Sequence, residues 1–185
     1  MESLDVLTLN EEKSDREKVI QIVWEAIDYF PTELWITVNY LGNITLKPHL
    51  EIRLNEFIHK AFIVNKLMME LRRIKQRNKS TNLLLVLTHD PIIITYYHLQ
   101  EDGFNRIVKL VRDYVTGSAG MVSLFMIDEK TGKKITAHGL GHHQGLEHHL
   151  QPLDLMYVRL LNGTPIEEKG FCDNCQKKLE KRINS

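Results

Sequence analysis

The chain has 185 residues, with 24 acidic and 24 basic side chains and a hydrophobic content of 43%. This length suits one domain with its own hydrophobic core, so residues 1–185 are taken as a single domain. The balanced charge gives no reason to expect nucleic acid as a partner. No apolar run approaches the ~18 residues of a membrane span, and the first residues lack the basic and apolar regions of a signal peptide. The sequence therefore predicts a cytoplasmic protein that binds neither nucleic acid nor a membrane.

The predicted elements of the first half of the chain follow from hydrophobic periodicity and turn residues. An amphipathic helix is predicted over 15–30, where apolar residues recur with a helical period and Pro31 ends it. Alternation of apolar and polar residues predicts a strand over 34–40. The longest helix candidate covers 55–77, and its basic C-terminal end suits the helix dipole.

The second half of the chain is predicted to alternate strands with short helices. The apolar run 82–88 is the best candidate for a central strand, and 92–97 is a candidate for another. A short helix is predicted over 104–114. The remaining predictions are a strand over 121–127, a polar turn over 128–132, a histidine-containing helix from about Lys134, an irregular segment over 150–171 and a terminal helix over 173–183.

The distribution of histidine is the most informative feature of the sequence. His138 and His142 are four residues apart, so both imidazoles lie on one face of a helix and can reach one metal ion. Gly145 is a natural helix stop, after which the chain can turn back and offer His148 as a third nitrogen ligand. Three protein ligands leave a fourth position open, which is the pattern of a catalytic zinc site. The alternative is a solvated histidine-rich loop, and His143 is predicted to be a surface residue in either case.

The motif lacks the carboxylate that usually accompanies it. Gly139 stands directly after the first histidine, where zinc peptidases have the Glu that acts as general base. Loss of a general base typically costs ~10²–10⁴-fold in rate. Glu147 is the nearest carboxylate, but it precedes His148 on the returning loop, where adjacent side chains point apart. We assign no residue as catalytic and keep Glu147 as the alternative base. Because Gly139 and Gly141 each weaken a helix by ~1 kcal/mol relative to Ala, Gly139→Glu is expected to strengthen it.

The spacing H-x-x-x-H-x-x-G-x-x-H, followed by Met156, resembles the metzincin peptidases with their methionine turn, and in particular the archaemetzincins, small single-domain metzincin-like proteins. In that family a Cys follows the third His, a second Cys precedes the Met, and an F-C-x-x-C-x-x-x-L block comes later. The resemblance is specific over 135–179, and residues 171–179 fit the block. The four family cysteines bind a structural zinc. The resemblance therefore implies a second zinc site at His149, Asp154, Cys172 and Cys175, all of which are residue types that bind zinc.

Other interpretations of the two cysteines and of the methionine remain open. A disulfide scaffold is not expected from one C-x-x-C pair. The pair could be redox-active, but such pairs follow a strand and begin a helix in a βαβ unit, which the predicted elements do not provide. It could also be two idle thiols. Met156 is either an ordinary core residue or, as in metzincins, an apolar support beneath the metal site that does not bind zinc.

The resemblance also implies the fold and limits the function. It predicts a zincin-like α/β domain in which a twisted mixed sheet is backed by helices 15–30 and 55–77. The histidine helix should run under the sheet, with a cleft beside the edge strand 121–127 that could receive an extended peptide or protein segment. We predict a zinc-binding archaemetzincin-like protein with little or no peptidase activity. An active zinc hydrolase with another base or substrate, and a purely structural metal protein, are the alternatives.

Overall fold

The computed structural model describes residues 2–100, 103–151, 154–157, 161 and 170–183, with the backbone alone for 97–100 and 103–106. The helices are α1 (Lys13–Ile27), α2 (Val64–Arg77), α3 (Glu129–His143) and α4 (Asp173–Ile183). The strands are β1 (Glu2–Leu9), β2 (Trp35–Ile44), β3 (Leu50–Leu54), β4 (Phe57–Ile63), β5 (Leu83–Thr88), β6 (Ile92–Gln100), β7 (Gly103–Val111), β8 (Asp113–Thr116) and β9 (Ala119–Ser123). None of the helices in the described ranges combines the length and the apolar character that a membrane-spanning helix requires.

The larger sheet has five strands in the order β2-β1-β5-β9-β8. The first four run parallel, and β8 pairs antiparallel with β9. Strand β5 lies at the centre, and all of its residues are buried. This confirms the central strand predicted over 82–88, and it explains the continuous apolar run, since a parallel strand covered on both faces needs apolar side chains in both directions.

Helices cover both faces of this sheet, and the alternation of side chains along β5 divides the core in two. Leu83, Leu85 and Leu87 point to the face covered by α1, α3 and α4. Leu84 and Val86 point to the opposite face, where they pack with α2. The mixed α/β architecture predicted from the sequence is thus confirmed, with α3 on the same side of the sheet as α1.

A second sheet, in the order β3-β4-β6-β7, corrects two predicted helices. The first part of the helix predicted over 55–77 is strand β4, because residues 57–63 pair with β3 and β6; the helix begins only at Val64. The helix predicted over 104–114 is wrong as well. Those residues lie in β7 and at the start of β8, where Ile and Val side chains suit pairing with β6 and β9.

The edge of the larger sheet was also misassigned by the sequence. The strand predicted over 121–127 is β9, which ends at Ser123 and has neighbours on both sides. Strand β8 is the true edge, since the two-residue turn Gly117-Ser118 folds it back along β9. Gly117 has φ of 59°, which a tight hairpin turn of this kind requires. The strand beside helix α3 is therefore β8.

The remaining predictions differ from the structure mainly at their ends. The helix predicted over 15–30 is α1, which ends at Ile27, and the predicted terminal helix 173–183 matches α4. Helix α3 begins at Glu129, before the predicted start at Lys134. The side chain of Asp128 accepts a hydrogen bond from the Thr131 N–H at 2.7 Å, so the predicted polar turn 128–132 is the capped first turn of α3.

Candidate metal centres

Helix α3 presents two histidines and then ends so that a third can return. It is buried over most of its length against α1 and β8. Gly145, at φ 79°, takes the left-handed conformation that follows a helix end. Its N–H donates to His142 O at 3.0 Å, and the Leu146 N–H donates to Gly141 O at 2.9 Å, which together form a Schellman motif. This turn directs the chain back toward the helix and brings His148 beside it.

The imidazoles of His138, His142 and His148, here called the histidine site, converge on one point. The Nε2 atom of His148 lies 3.0 Å from Nε2 of His138 and 3.1 Å from Nε2 of His142. Imidazole nitrogens bound to a single tetrahedral zinc lie roughly 3.3 Å apart. His138 is buried and His148 is exposed, so the site opens to solvent on the side of the returning loop.

The groups behind the rings determine which nitrogens are free. Asp113 Oδ2 lies 2.7 Å from Nδ1 of His138, and the carbonyl oxygen of Leu146 lies 3.0 Å from Nδ1 of His142. A carboxylate and a carbonyl oxygen accept hydrogen bonds, so both Nδ1 atoms donate and both Nε2 atoms keep their lone pairs. The Nε2 atom of His148 can donate a hydrogen bond to Nε2 of His138 or to Nε2 of His142, but not to both at once. Convergent lone pairs of this kind fit a shared cation, and zinc favours neutral imidazole.

The charge states of the rings also suit a metal. Burial, and then the nearby imidazole of His138, lower the pKa of His142. Burial, followed by His138 and His142, lowers the pKa of His148. These two rings are therefore neutral at neutral pH, and neutral imidazole is the form that binds a metal without first losing a proton.

The neighbouring His143 faces away from the histidine site. Its Nε2 atom lies 2.8 Å from Glu2 Oε2, and its ring stacks on Trp35 with centroids 5.9 Å apart. The predicted surface residue is partly covered, since the side chain of His143 is 16% exposed. His143 ties the end of α3 to strand β1 and takes no part in the cluster.

A second cluster, here called the mixed site, contains His149, Asp154, Cys172 and Cys175. The Nε2 atom of His149 lies 3.0 Å from Asp154 Oδ2, 3.7 Å from Cys172 Sγ and 3.6 Å from Cys175 Sγ. Helix α4 begins between the two cysteines, so the C-x-x-C spacing turns both sulfurs toward His149. The structure brings together all four residues that the sequence predicted for a second metal.

The electrostatics of the mixed site favour a cation beside the Cys175 thiol. Burial alone would raise the pKa of Asp154, but hydrogen bonds from Cys172 and from the Met156 N–H lower it. Burial, the charge of Asp154 and the neighbouring Cys172 raise the pKa of the Cys175 thiol to about 12. A thiolate at Cys175 therefore needs a cation to take the place of the proton.

Met156 lies beneath α3. It is fully buried, and its Sδ atom would be 2.8 Å from a Cβ placed on Gly141. The backbone N–H of His149 donates to Met156 O at 3.2 Å, which holds this segment against the returning loop. Gly141 is therefore needed for the close approach of Met156 to the helix.

Comparisons with solved structures agree with this architecture. An archaemetzincin from Methanopyrus kandleri superposes on the chain with a TM-score of 0.67 at 18% identity, over 100% of this chain and 96% of that one. The chain has an archaemetzincin-like fold. Metalloproteinase-II from Bacteroides fragilis gives a TM-score of 0.57 at 14% identity, over 100% of this chain and 54% of that one. The sequence itself matches no protein-family model and no curated protein.

The position directly after His138 is closed in by β8. Gly139 is buried, and a Cβ placed on it would lie 3.1 Å from Asp113 Oδ2 and 3.2 Å from Val115 Cγ2. The expectation that Gly139→Glu simply strengthens the helix therefore does not hold, because Asp113 occupies the adjoining space. Glu147 is exposed and lines, with His148, an open depression of about 510 Å³.

Asp113, which contacts His138, is the member of the site that the sequence did not reveal. It was hidden by the incorrect helix predicted over 104–114, which placed it at a helix end with no partner. Its side chain is 3% exposed and lies in β8, directly against His138. The available signal was an isolated acidic residue in a segment rich in Val and Ile, four residues before the turn glycine Gly117.

Proposed function

We propose that this chain is a zinc-binding, metzincin-like protein with little or no peptidase activity. The observation that carries the proposal is the histidine site, where three Nε2 atoms converge and two of the rings are held by acceptors on their Nδ1 atoms. His138, His142 and His148 would hold the metal. A zinc ion there would supply Lewis acidity at a position that is open to solvent.

The low activity follows from the missing proton carrier. Peptide hydrolysis needs a group that takes a proton from the attacking water and returns it to the leaving amine. Gly139 has no side chain to do this. Asp113 is already bonded to Nδ1 of His138, on the ring edge opposite to the nitrogen that faces the site. Glu147 is exposed to solvent, so packing does not hold its carboxylate in place beside the histidine site.

We further propose that the mixed site holds a second, structural zinc. Four protein ligands leave no open coordination position. The metal would join the loop that carries His149 to helix α4, in which only Cys175 and Leu179 are buried. Two metal-bound thiols, in place of a disulfide, suit the cytoplasm, where we place the protein.

An extended peptide or protein segment is the partner that this architecture favours. Strand β8 is the edge of the larger sheet, and Asp113 within it contacts His138. A segment added along β8 by β-augmentation would therefore run beside the histidine site. Strand β8 therefore takes the place of the strand predicted over 121–127 as the edge that would receive the segment.

Metal analysis combined with a cleavage assay tests the proposal. We expect two zinc ions per chain in the wild type, one in His142→Ala and one in Cys172→Ser, with no cleavage of a peptide library by the zinc-loaded wild type. Cleavage that His142→Ala abolishes would establish an active hydrolase, and Glu147→Gln would then show whether Glu147 is its base. If His142→Ala binds as much zinc as the wild type, the proposed function is refuted.

A further inference from the structure

Asp113 and Gly139 form a matched pair where strand β8 crosses helix α3. The carboxylate of Asp113 lies 2.7 Å from Nδ1 of His138, and both side chains are buried. A Cβ on Gly139 would lie 3.1 Å from Asp113 Oδ2 and 3.4 Å from Asp113 Cβ. The carboxylate therefore fits beside His138 because residue 139 has no side chain.

The burial of Asp113 calls for an explanation. Burying a carboxylate costs free energy unless the group is hydrogen-bonded. Removing its partner leaves an uncompensated charge in the core. The side chain of Asp113 is bonded to the ring of His138, which is itself fully buried. The two groups satisfy each other, and the ring is left with Nε2 directed into the histidine site.

We propose that Asp113 is the positioning residue of the histidine site and that Gly139 is the residue that admits it. This inference rests on the proposed zinc binding. Gly139 lacks the side chain of a general base, and it also leaves room for the carboxylate of Asp113 in the edge strand β8 to contact Nδ1 of His138. The site is thereby organised for holding a metal and not for moving a proton.

The physical effect of Asp113 is to select one tautomer and one ring orientation. Because the carboxylate accepts from Nδ1–H, the lone pair of His138 is fixed on Nε2. Partners of this kind typically change metal affinity by ~10–100-fold. Asp113→Ala should therefore weaken zinc binding at the histidine site by that factor, while zinc at the mixed site stays unchanged. Asp113→Asn should restore part of the affinity, since an amide oxygen can accept the same hydrogen bond.

Zinc competition titrations with a chromophoric chelator measure these affinities, and cobalt substitution adds a spectroscopic readout. The visible absorption of cobalt in the histidine site should shift in Asp113→Ala, because one nitrogen ligand is no longer held in place. A merely structural role for Asp113 would lower thermal stability and leave both the affinity and the spectrum of the histidine site unaltered. That result would overturn the inference.

The role of Gly139 is tested by a double-mutant cycle. Gly139→Ala should weaken zinc binding at the histidine site in the wild type, because the new methyl group displaces the carboxylate of Asp113. The effect should shrink in the Asp113→Ala background. Gly141→Ala is the matched control, since its Cβ would meet Met156 and its effect should be the same in both backgrounds. Additive effects of Gly139→Ala and Asp113→Ala would contradict the pairing.

Nitrogen NMR of the histidine rings separates this inference from the proposed function. In the wild-type protein before zinc is added, His138 should be the Nδ1–H tautomer, and Asp113→Ala should shift that equilibrium more than Asp113→Asn, whose amide oxygen can still accept from Nδ1–H. If the histidine site fails to bind zinc but the tautomer depends on Asp113, the proposed function fails and the positioning role stands. If zinc binds tightly and the tautomer is independent of Asp113, the positioning role alone is refuted.

Discussion

The histidine site and the mixed site use adjacent residues, His148 and His149, but the framework around each is different. Two ligands of the histidine site lie on α3, which is buried against α1 and β8 before any metal is considered. The ligands of the mixed site come from a returning loop, a turn and the start of α4. A metal in the first site therefore joins a framework that already exists. A metal in the second site holds separate segments together, and its binding energy becomes folding energy.

The largest expected effect is on stability when the mixed site is broken. Cys172→Ser should lower the free energy of unfolding by several kcal/mol, a fraction of the ~10 kcal/mol or more that zinc contributes in small zinc-dependent domains. The reason is that α4 buries little apolar surface of its own. Thermal unfolding and hydrogen exchange in α4 measure the loss. Asn174→Ser, an exposed change between the two cysteines, is the control, and equal stability of the two variants would show that the mixed site is not structural.

The second expected effect is on metal content when the histidine site is broken. His142→Ala should weaken zinc binding there by more than ~100-fold, beyond the range for residues that only support a ligand. The fold should lose less stability than in Cys172→Ser, since α3 is packed without the metal. Elemental analysis and thermal unfolding of the same samples test both points. His143→Ala is the matched control because its ring faces Glu2 and Trp35, and it should keep both zinc ions.

A third effect concerns coupling between the sites. Because His148 and His149 are neighbours on one loop, loss of the mixed-site metal should loosen His148. We expect Cys172→Ser to weaken zinc binding at the histidine site by about 5-fold or more. By thermodynamic linkage, His142→Ala should weaken the mixed site by the same factor. Unchanged affinity at the histidine site in Cys172→Ser would mean that the Schellman turn at Gly145 fixes the loop by itself.

The histidine site was predictable from sequence because its geometry is local. Two ligands are four residues apart on one helix, and Gly145 accounts for the return of the third. The ends of α4 and the position of β5 were predictable for the same reason, since their apolar patterns are complete within each element. The mixed site joins residues that are distant in sequence, and it was predicted only through the family resemblance.

The errors arose where pairing between strands overrode the local pattern. Residues 57–63 have apolar side chains at helical spacing and lead directly into α2, so the sequence does not mark the boundary at Val64. Pairing of β4 with β3 and β6 decides its conformation. The partnership of Asp113 with His138 was inaccessible because it depends on where β8 crosses α3, which no local pattern specifies.

The smallest expected effect distinguishes the acid sensitivity of the metal sites from that of the rest of the fold. His89 lies outside both sites; its Nδ1 atom is 2.8 Å from Glu11 Oε2, and Glu11 Oε1 accepts from the His89 N–H at 2.6 Å. The hydrogen bond to Glu11, opposed by burial and assisted by the charges of Glu11, Asp15 and Asp90, raises the pKa of His89. Acid should therefore strengthen this pair under the conditions that protonate metal ligands and release zinc.

The sign of the effect is set by the raised pKa. The pair contributes its full stabilisation below the unfolded-state pKa of about 6.5, and the contribution is lost as the pH rises through the higher folded-state pKa. His89→Gln should thus lower the unfolding free energy at about pH 6 and have little effect at about pH 9. Because the His89 side chain is 49% exposed, the loss should be less than about 1 kcal/mol. Urea unfolding at each pH gives the difference in unfolding free energy between the wild type and His89→Gln. The contribution of the metal sites is the same in both proteins and cancels in this difference. A deficit that grows as the pH rises would contradict a raised pKa at His89.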